Sequence, residues 1–345
     1  MLSVREKTEQ TPVDISVELT ELPSSRPDWG KIGQSIGERT CPIVIFGGNE
    51  AEYRLIKSKL TQELRIPVQI LRIDTISRGQ NLPALARTIF PQILAKVGGL
   101  PYQLYPPILD KALLIGLDKA RDSSRNTPSA SAGVAAVTPE GRYVSGASTP
   151  LEKNTTDFID VDLLAPDLLR ELDEQRFLSS YDYVVILRDG SPETCRREID
   201  QWKRHLASYN MNFIFIASRK THAFRVFPED IERQIAESSR ISFPVPLVLN
   251  GNPLPPADFL VVASKAPQGT PKPVLYTLME NTTNLSLEAI KEKILSQITS
   301  LSMLCWESPM PTSQPLPLHY ANKLAAFTQL VQQRWNSANR LPMFI

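Results

Sequence analysis

The stretch from Tyr181 to Gly190, YDYVVILRDG, carries an apolar run that stops on an aspartate. Val184 to Leu187 are four consecutive apolar residues, rich in β-branched types and too few for a buried helix, and Arg188-Asp189-Gly190 ends them. This pattern predicts a buried strand that delivers a carboxylate. Ala112 to Asp118, ALLIGLD, has the same design, followed by Lys119 and Arg121. Two such strands, if adjacent and parallel, lie about 5 Å apart and set Asp118 and Asp189 on one sheet edge. Paired carboxylates there can hold a divalent metal.

A second set of residues suits a phosphate. Tyr53 and Lys57 are four apart and share one face of a predicted helix; Gln69 lies on the next strand and Lys96 in the last turn of the following helix. Two ammonium groups, an amide donor and a tyrosine ring for stacking a terminal base are the chemistry a phosphorylated strand end requires. Taken singly, each residue is equally at home on a solvated face or at a helix C-terminus. His205 and His222 have no partner spacing for a metal or a nucleophile, and His319 is read as structural beside Asn322. No Gly-rich loop followed by Lys-Ser or Lys-Thr is present, which argues against an NTPase.

The elements that must position these residues follow an α/β pattern. A strand at PIVIF, a helix over 50 to 64 capped by Asn49, a strand at 67 to 71 and a helix over 82 to 97 form a first unit. Pro91 is expected to kink that last helix and Gly98-Gly99 to end it. The Pro-rich connector PYQLYPP marks a boundary near 107. The second unit opens with three antiparallel strands, the latter two joined at Pro139-Glu140-Gly141. A helix near 163 to 178, the Asp189 strand, a helix over 192 to 208 and a strand at 212 to 217 come next. That order is the order of a ribonuclease H-like fold. Short strands around 224 to 227 and 275 to 279, and helices near 286 to 300 and 320 to 335, complete it. Residues 1 to 40 are polar and Pro-punctuated, with one weak alternation at Val13 to Leu19.

Composition sets outer bounds. The 345 residues, 42% apolar and 22% charged, suit an ordinary globular protein of two domains. A net charge of +1 by itself gives no reason to expect nucleic acid. Cys41, Cys195 and Cys305 are isolated and odd in number, so a reduced, cytoplasmic setting is expected without a disulfide framework or a thiolate zinc site. No run approaches a membrane helix, and the first residues carry no signal-peptide core.

Several pieces, in order, resemble one family. Tyr53, Lys57, Gln69 and Lys96, then KVGGLPYQL at 96 to 104, LIGLDKAR at 114 to 121, GVAAVT, VVILRDG and PLHYANKLA at 317 to 325 are together similar to the Argonaute and Piwi proteins. The resemblance divides the chain into a polar segment (1–40), a partial Rossmann-like MID domain (41–107) and a ribonuclease H-like PIWI domain (108–345). It implies that Tyr53, Lys57, Gln69 and Lys96 bind the 5′-phosphate of a short guide strand, with the C-terminal carboxylate of Ile345 reaching the pocket through a metal ion. Arg188, Arg219, Lys220 and Arg225 would line the channel near the first phosphates. With about 41 residues ahead of Pro42, the chain resembles a short or truncated, prokaryotic-type Argonaute without PAZ, so a partner protein supplying N-terminal lobes is a further expectation.

Cleaving members carry Asp, Glu, Asp and a variable fourth residue that hold two Mg²⁺ or Mn²⁺ ions. Asp118 and Asp189 fill the aspartate positions and Asn322 the fourth. The glutamate position falls on Phe158 or Asp160, neither a Glu, with Asp157 and Asp160 as shorter stand-ins. The resemblance therefore implies guide binding and guide-directed recognition of a complementary DNA or RNA target with weak or absent cleavage, and a guided two-metal endonuclease as the alternative.

Overall fold

The structure, a computed structural model, describes residues 27–37, 40–77, 82–122, 129–153, 156–222, 248–249, 252–253, 258–261, 273–307, 312–335 and 341–345. Helix α1 (Trp29–Ser35) starts at the Asp28 cap, whose carboxylate accepts from Lys31 N at 3.2 Å. Strand β1 (Ile43–Phe46) pairs in parallel with β2 (Gln69–Arg72), Ile43 opposite Gln69. Between them the expected single helix is divided. Helix α2 (Glu50–Ile56) gives way at Lys57 to a π-helical stretch, Lys57–Glu63. Asn49 caps α2 as expected, accepting from Ala51 N and Glu52 N. Helix α3 (Ile73–Ser77) and helix α4 (Leu82–Lys96) follow; α4 continues through Pro91, and Gly98 after it sits at φ +88°.

The larger part of the chain is built on a seven-stranded mixed sheet. Its strands are β3 (Ala112–Asp122), β4 (Ser129–Val137), β5 (Tyr143–Ser148), β6 (Tyr183–Asp189), β7 (Asn212–Arg219), β10 (Asp258–Val261) and β11 (Val274–Asn281). A two-residue pair, β8 (Val248–Leu249) and β9 (Asn252–Pro253), stands apart. The order across the sheet is β10-β11-β7-β6-β3-β4-β5. Strands β3, β4 and β5 are antiparallel neighbours, joined between β4 and β5 by the expected turn, with Gly141 at φ +100°. β6 and β7 lie parallel to β3. The strand expected at 224 to 227 falls outside the described residues.

Helices cover both faces, as a sheet with a parallel core requires. Helix α5 (Ala165–Glu174), the short α6 (Phe177–Ser180) and α7 (Pro192–Ala207) cover one face, where Leu113, Ile115, Val184, Ile186, Phe213 and Trp202 share one core. Helices α8 (Leu287–Leu301) and α9 (Leu316–Val331) cover the other, over Leu114, Val185, Leu187, Ile214 and Ile216. Two strand glycines let α9 come close. A Cβ on Gly116 would stand 2.1 Å from the Pro317 carbonyl oxygen, and one on Gly133 2.1 Å from that of Ala321.

Candidate functional site

Register brings the two aspartates together. Leu117 pairs with Arg188 across the parallel β3–β6 ladder, so Asp118 and Asp189 follow at the same level of neighbouring strands. Side chains alternate along a strand, which puts Gly116, Asp118, Leu187 and Asp189 on the α9 face. From α9, Asn322 Nδ2 donates to Asp118 Oδ2 at 2.9 Å, and Lys119 N donates to Oδ1 at 2.7 Å. Asp189 Oδ2 accepts from Gln314 Nε2 at 2.7 Å and pairs with Lys220 Nζ at 3.0 Å. Burial, then the charge of Asp189, push the Asp118 carboxyl up to about 7. A pair of carboxylates that repel one another in a dry site suits a cation. Two carboxylates and a neutral amide suit one divalent ion better than two.

The same alternation corrects two expectations for the channel. Arg188 points to the opposite face from Asp189; it is fully buried under α7, with Nε 2.8 Å from Glu198 Oε2, and cannot touch a strand lying over the aspartates. Arg219, one residue before Lys220, turns to the α7 side as well, within the field of Glu193 at the start of that helix. Lys220 does stand on the aspartate side. Arg225 lies outside the described residues.

Asp160 is also placed away from the pair. Its carboxylate accepts from Asp162 N at 3.2 Å and from Gln201 Nε2 at 2.8 Å, capping the short 3-10 turn Val161–Leu163 against α7. Asp157 pairs with Arg121 at 2.7 Å on an exposed edge. The charges that act most strongly on Asp118 are those of Asp189, Lys220 and Arg188, and neither stand-in is among them.

The basic set converges. Lys57 opens the π-helical stretch and Lys96 closes α4, and both are buried. Lys96 Nζ donates to Gln69 Oε1 at 2.7 Å and to the Val68 carbonyl at 3.1 Å, which leaves the Gln69 amide nitrogen to donate elsewhere. Burial, and then Lys96, push Lys57 down to about 7; burial pushes Lys96 down to about 8. No ion pair forms on either lysine among the described residues. Tyr53 is half-buried beside them, its ring 6.2 Å from Phe46, and burial raises its hydroxyl above the usual value. Ile345 is buried in the same extended cluster as Ala95, and a Cβ on Gly98, just after α4, would stand 3.4 Å from Leu341 Cδ2, so the start of the tail segment 341–345 lies beside the end of α4.

Sequence reading missed the groups that border this set. Cys41 and Glu307 both act on Lys57 and Lys96. Glu307 is held by His319, Nε2 to Oε2 2.5 Å, and by Lys323, Nζ to Oε1 3.0 Å. Burial would raise its pKa, but these partners hold it at about 2. Burial likewise opposes the charge on His319, yet hydrogen bonds with Cys305 and Glu307 raise it to about 9. His319 and Lys323 are four apart in HYANKLA, the one signal available, and share a face of α9 next to that of Asn322. Gln314, in a Pro-rich loop, had no signal.

Comparison with known proteins gives a consistent result. The sequence family described as the Piwi domain matches residues 42–335. Protein aubergine of Drosophila melanogaster is 23% identical over 295 residues, 82% of this chain and 33% of its own length. Piwi-like protein Siwi of Bombyx mori is 25% identical over 315 residues, 88% of this chain and 34% of its own. The chain thus spans about a third of the length of these curated relatives. Among solved structures, the C-terminal lobe of a budding yeast Argonaute superposes with a TM-score of 0.75 at 14% identity, over 91% of this chain and 71% of that one. Drosophila Piwi gives 0.69 at 19%, over 92% and 43%. Aa-Ago with externally bound siRNA gives 0.60 at 18%, over 91% and 42%. Among the described residues no helix is long and apolar enough to cross a membrane.

Proposed function

Because this chain belongs to the Piwi-domain family, we propose that it grips the 5′-phosphate of a short guide strand with Tyr53, Lys57, Gln69 and Lys96 and offers that strand to a complementary target, with cleavage weak or absent. The observation that supports this reading most directly is a pair of buried lysines, Lys57 in the field of Lys96 and Lys96 bonded to neutral acceptors, with no ion pair to a carboxylate on either among the described residues. Burying such charge is costly unless an anion answers it. A terminal phosphate supplies that anion and accepts from the Gln69 amide. In this reading 41–107 is the phosphate-binding MID-like unit, 108–345 is the PIWI-like unit, Lys220 contacts the strand backbone, and the Ile345 carboxylate completes the pocket.

Weak cleavage follows from charge. A Mg²⁺ or Mn²⁺ ion held by Asp118 and Asp189, with the Asn322 amide turned to present its oxygen, would polarise a phosphodiester. Asn322 adds no charge, and Lys220 already neutralises part of Asp189. The level placement of the aspartates favours the endonuclease as the second reading. A reduced cytoplasmic setting belongs to the same proposal.

The test compares strands with 5′-phosphate and 5′-hydroxyl ends. Lys57→Ala, Gln69→Ala or Lys96→Ala should each weaken the phosphorylated strand by about 1.5 to 3 kcal/mol, ten-fold or more, and the hydroxyl strand far less. Equal losses on both would leave only general electrostatics. A time course with Mn²⁺, a guide and a labelled target decides between the readings. Asn322→Asp should raise any cutting and Asp118→Ala should end it while sparing guide binding. Fast cutting by the unaltered chain at one fixed position would make the endonuclease reading correct.

A further inference from the structure

The loop after α8 and the first turns of α9 bring a thiol, a carboxylate and an imidazole to one point, apart from the aspartate pair. His319 Nε2 lies 3.6 Å from Cys305 Sγ and 2.5 Å from Glu307 Oε2, and the three ligand atoms all fall within 4.8 Å of one another. We propose that Cys305, Glu307 and His319 form a binding site for a divalent transition-metal ion of the zinc class.

Distances support the assignment. Bond lengths of roughly 2.3 Å to sulfur and 2.0 to 2.1 Å to nitrogen, at tetrahedral angles, separate the two ligand atoms by about 3.6 Å. The sulfur and the imidazole nitrogen already stand at that separation. The nitrogen and the carboxylate oxygen must open by a little under about 1 Å, as the hydrogen between them gives way to an ion. Thiolate and imidazole select zinc-like ions over Mg²⁺, so this site and the aspartate pair would not compete for one metal.

Charge and support agree with that geometry. The thiolate and the carboxylate carry two negative charges, which balance a dication and add nothing to the basic surroundings. The thiol proton leaves to solvent and Nε2 gives up its hydrogen when the ion enters. Lys323 holds Glu307 by Oε1 at 3.0 Å and so turns Oε2 to the imidazole. Tyr102 fixes the loop through its hydroxyl, which donates to the Cys305 carbonyl at 2.9 Å. Such supporting contacts orient ligands in protein metal sites. Three protein ligands leave the fourth position to water.

The site stands independently of the guide-binding reading, and its test uses metal alone. The full chain is stripped with a chelator and titrated with Co²⁺. The expected result is one thiolate-bound ion per chain, with the visible bands of four-coordinate cobalt and a near-ultraviolet band from thiolate-to-metal charge transfer; any cobalt on the aspartate pair gives no such charge-transfer band. Zn²⁺ should displace it. Cys305→Ser should abolish the charge-transfer band and Glu307→Gln should weaken binding about ten-fold or more, whereas Cys41→Ser, Cys195→Ser and Asp118→Asn should leave the band in place. Absence of the band in the unaltered chain at saturating Co²⁺ overturns the proposal, whatever the variants do, and so does a band that survives Cys305→Ser.

Discussion

Lys57 and Lys96 are the residues at which burial and charge conflict most sharply. A lysine in water titrates near 10.5, and these two titrate at about 7 and about 8. Between those values and 10.5 the unfolded chain carries more protons than the folded one, so the stability of the free protein should climb as pH rises through that window. Binding runs the other way. A phosphate dianion favours the charged lysines, so it must draw protons from solution above pH 7, and affinity for a 5′-phosphorylated strand should fall as pH rises from 7 to 10. Calorimetry at pH 8 in two buffers of different ionisation heat reads the proton uptake directly. A heat that is the same in both buffers would show that the lysines are already charged in the free pocket. Much at this scale was legible. Asp118 and Asp189 announce themselves because an apolar run ends on each. Arg188 was misplaced only because strand alternation was not carried one residue further: the neighbour of a site-facing aspartate must face the other way. Glu307 was not legible, since its place beside the lysines depends on a loop with no period.

At the scale of elements, α9 does most of the positioning. One of its faces gives Asn322 to Asp118, and the next gives His319 and Lys323 to Glu307. It can reach both because Gly116 and Gly133 leave room for its backbone on β3 and β4. Those glycines stand in strands that the apolar pattern had already located, but what presses on them comes from a helix some 200 positions later. Gly133→Ala should therefore cost about 1 to 3 kcal/mol by overpacking, and should also weaken Mn²⁺ binding as Asn322 is lifted from Asp118. Gly30→Ala, where the added carbon meets only Asp28 Oδ1 at 3.4 Å, is the control and should be near neutral in thermal unfolding. If the two variants melt alike, the close approach is not tight. The division of the first expected helix at Lys57 had no sequence signal, because a π-helical stretch uses the same residue types as the α-helix it interrupts.

Across the whole molecule, the alternation of strands and helices was enough to place the sheet, while the contacts that join its parts were not readable. Gln62 Nε2 donates to the Arg334 carbonyl at 2.9 Å, Arg65 lies over the Trp335 ring at 5.1 Å, and Tyr102 reaches Cys305, each across long stretches of chain. The hydrogen bond from Asn322 to Asp118 spans 204 positions. That span has a consequence in time. Local turns and neighbouring strands close quickly, whereas a helix that must find strands 200 residues upstream closes last. On refolding from denaturant, far-ultraviolet circular dichroism should recover first and affinity for a phosphorylated strand in a second, slower step, because Glu307, held by His319 and Lys323 of α9, comes beside the lysines only when α9 docks. Simultaneous recovery of both signals would mean that the pocket forms with the sheet. During synthesis the same order leaves the strands under α9 bare on that side until residues 316–331 have emerged.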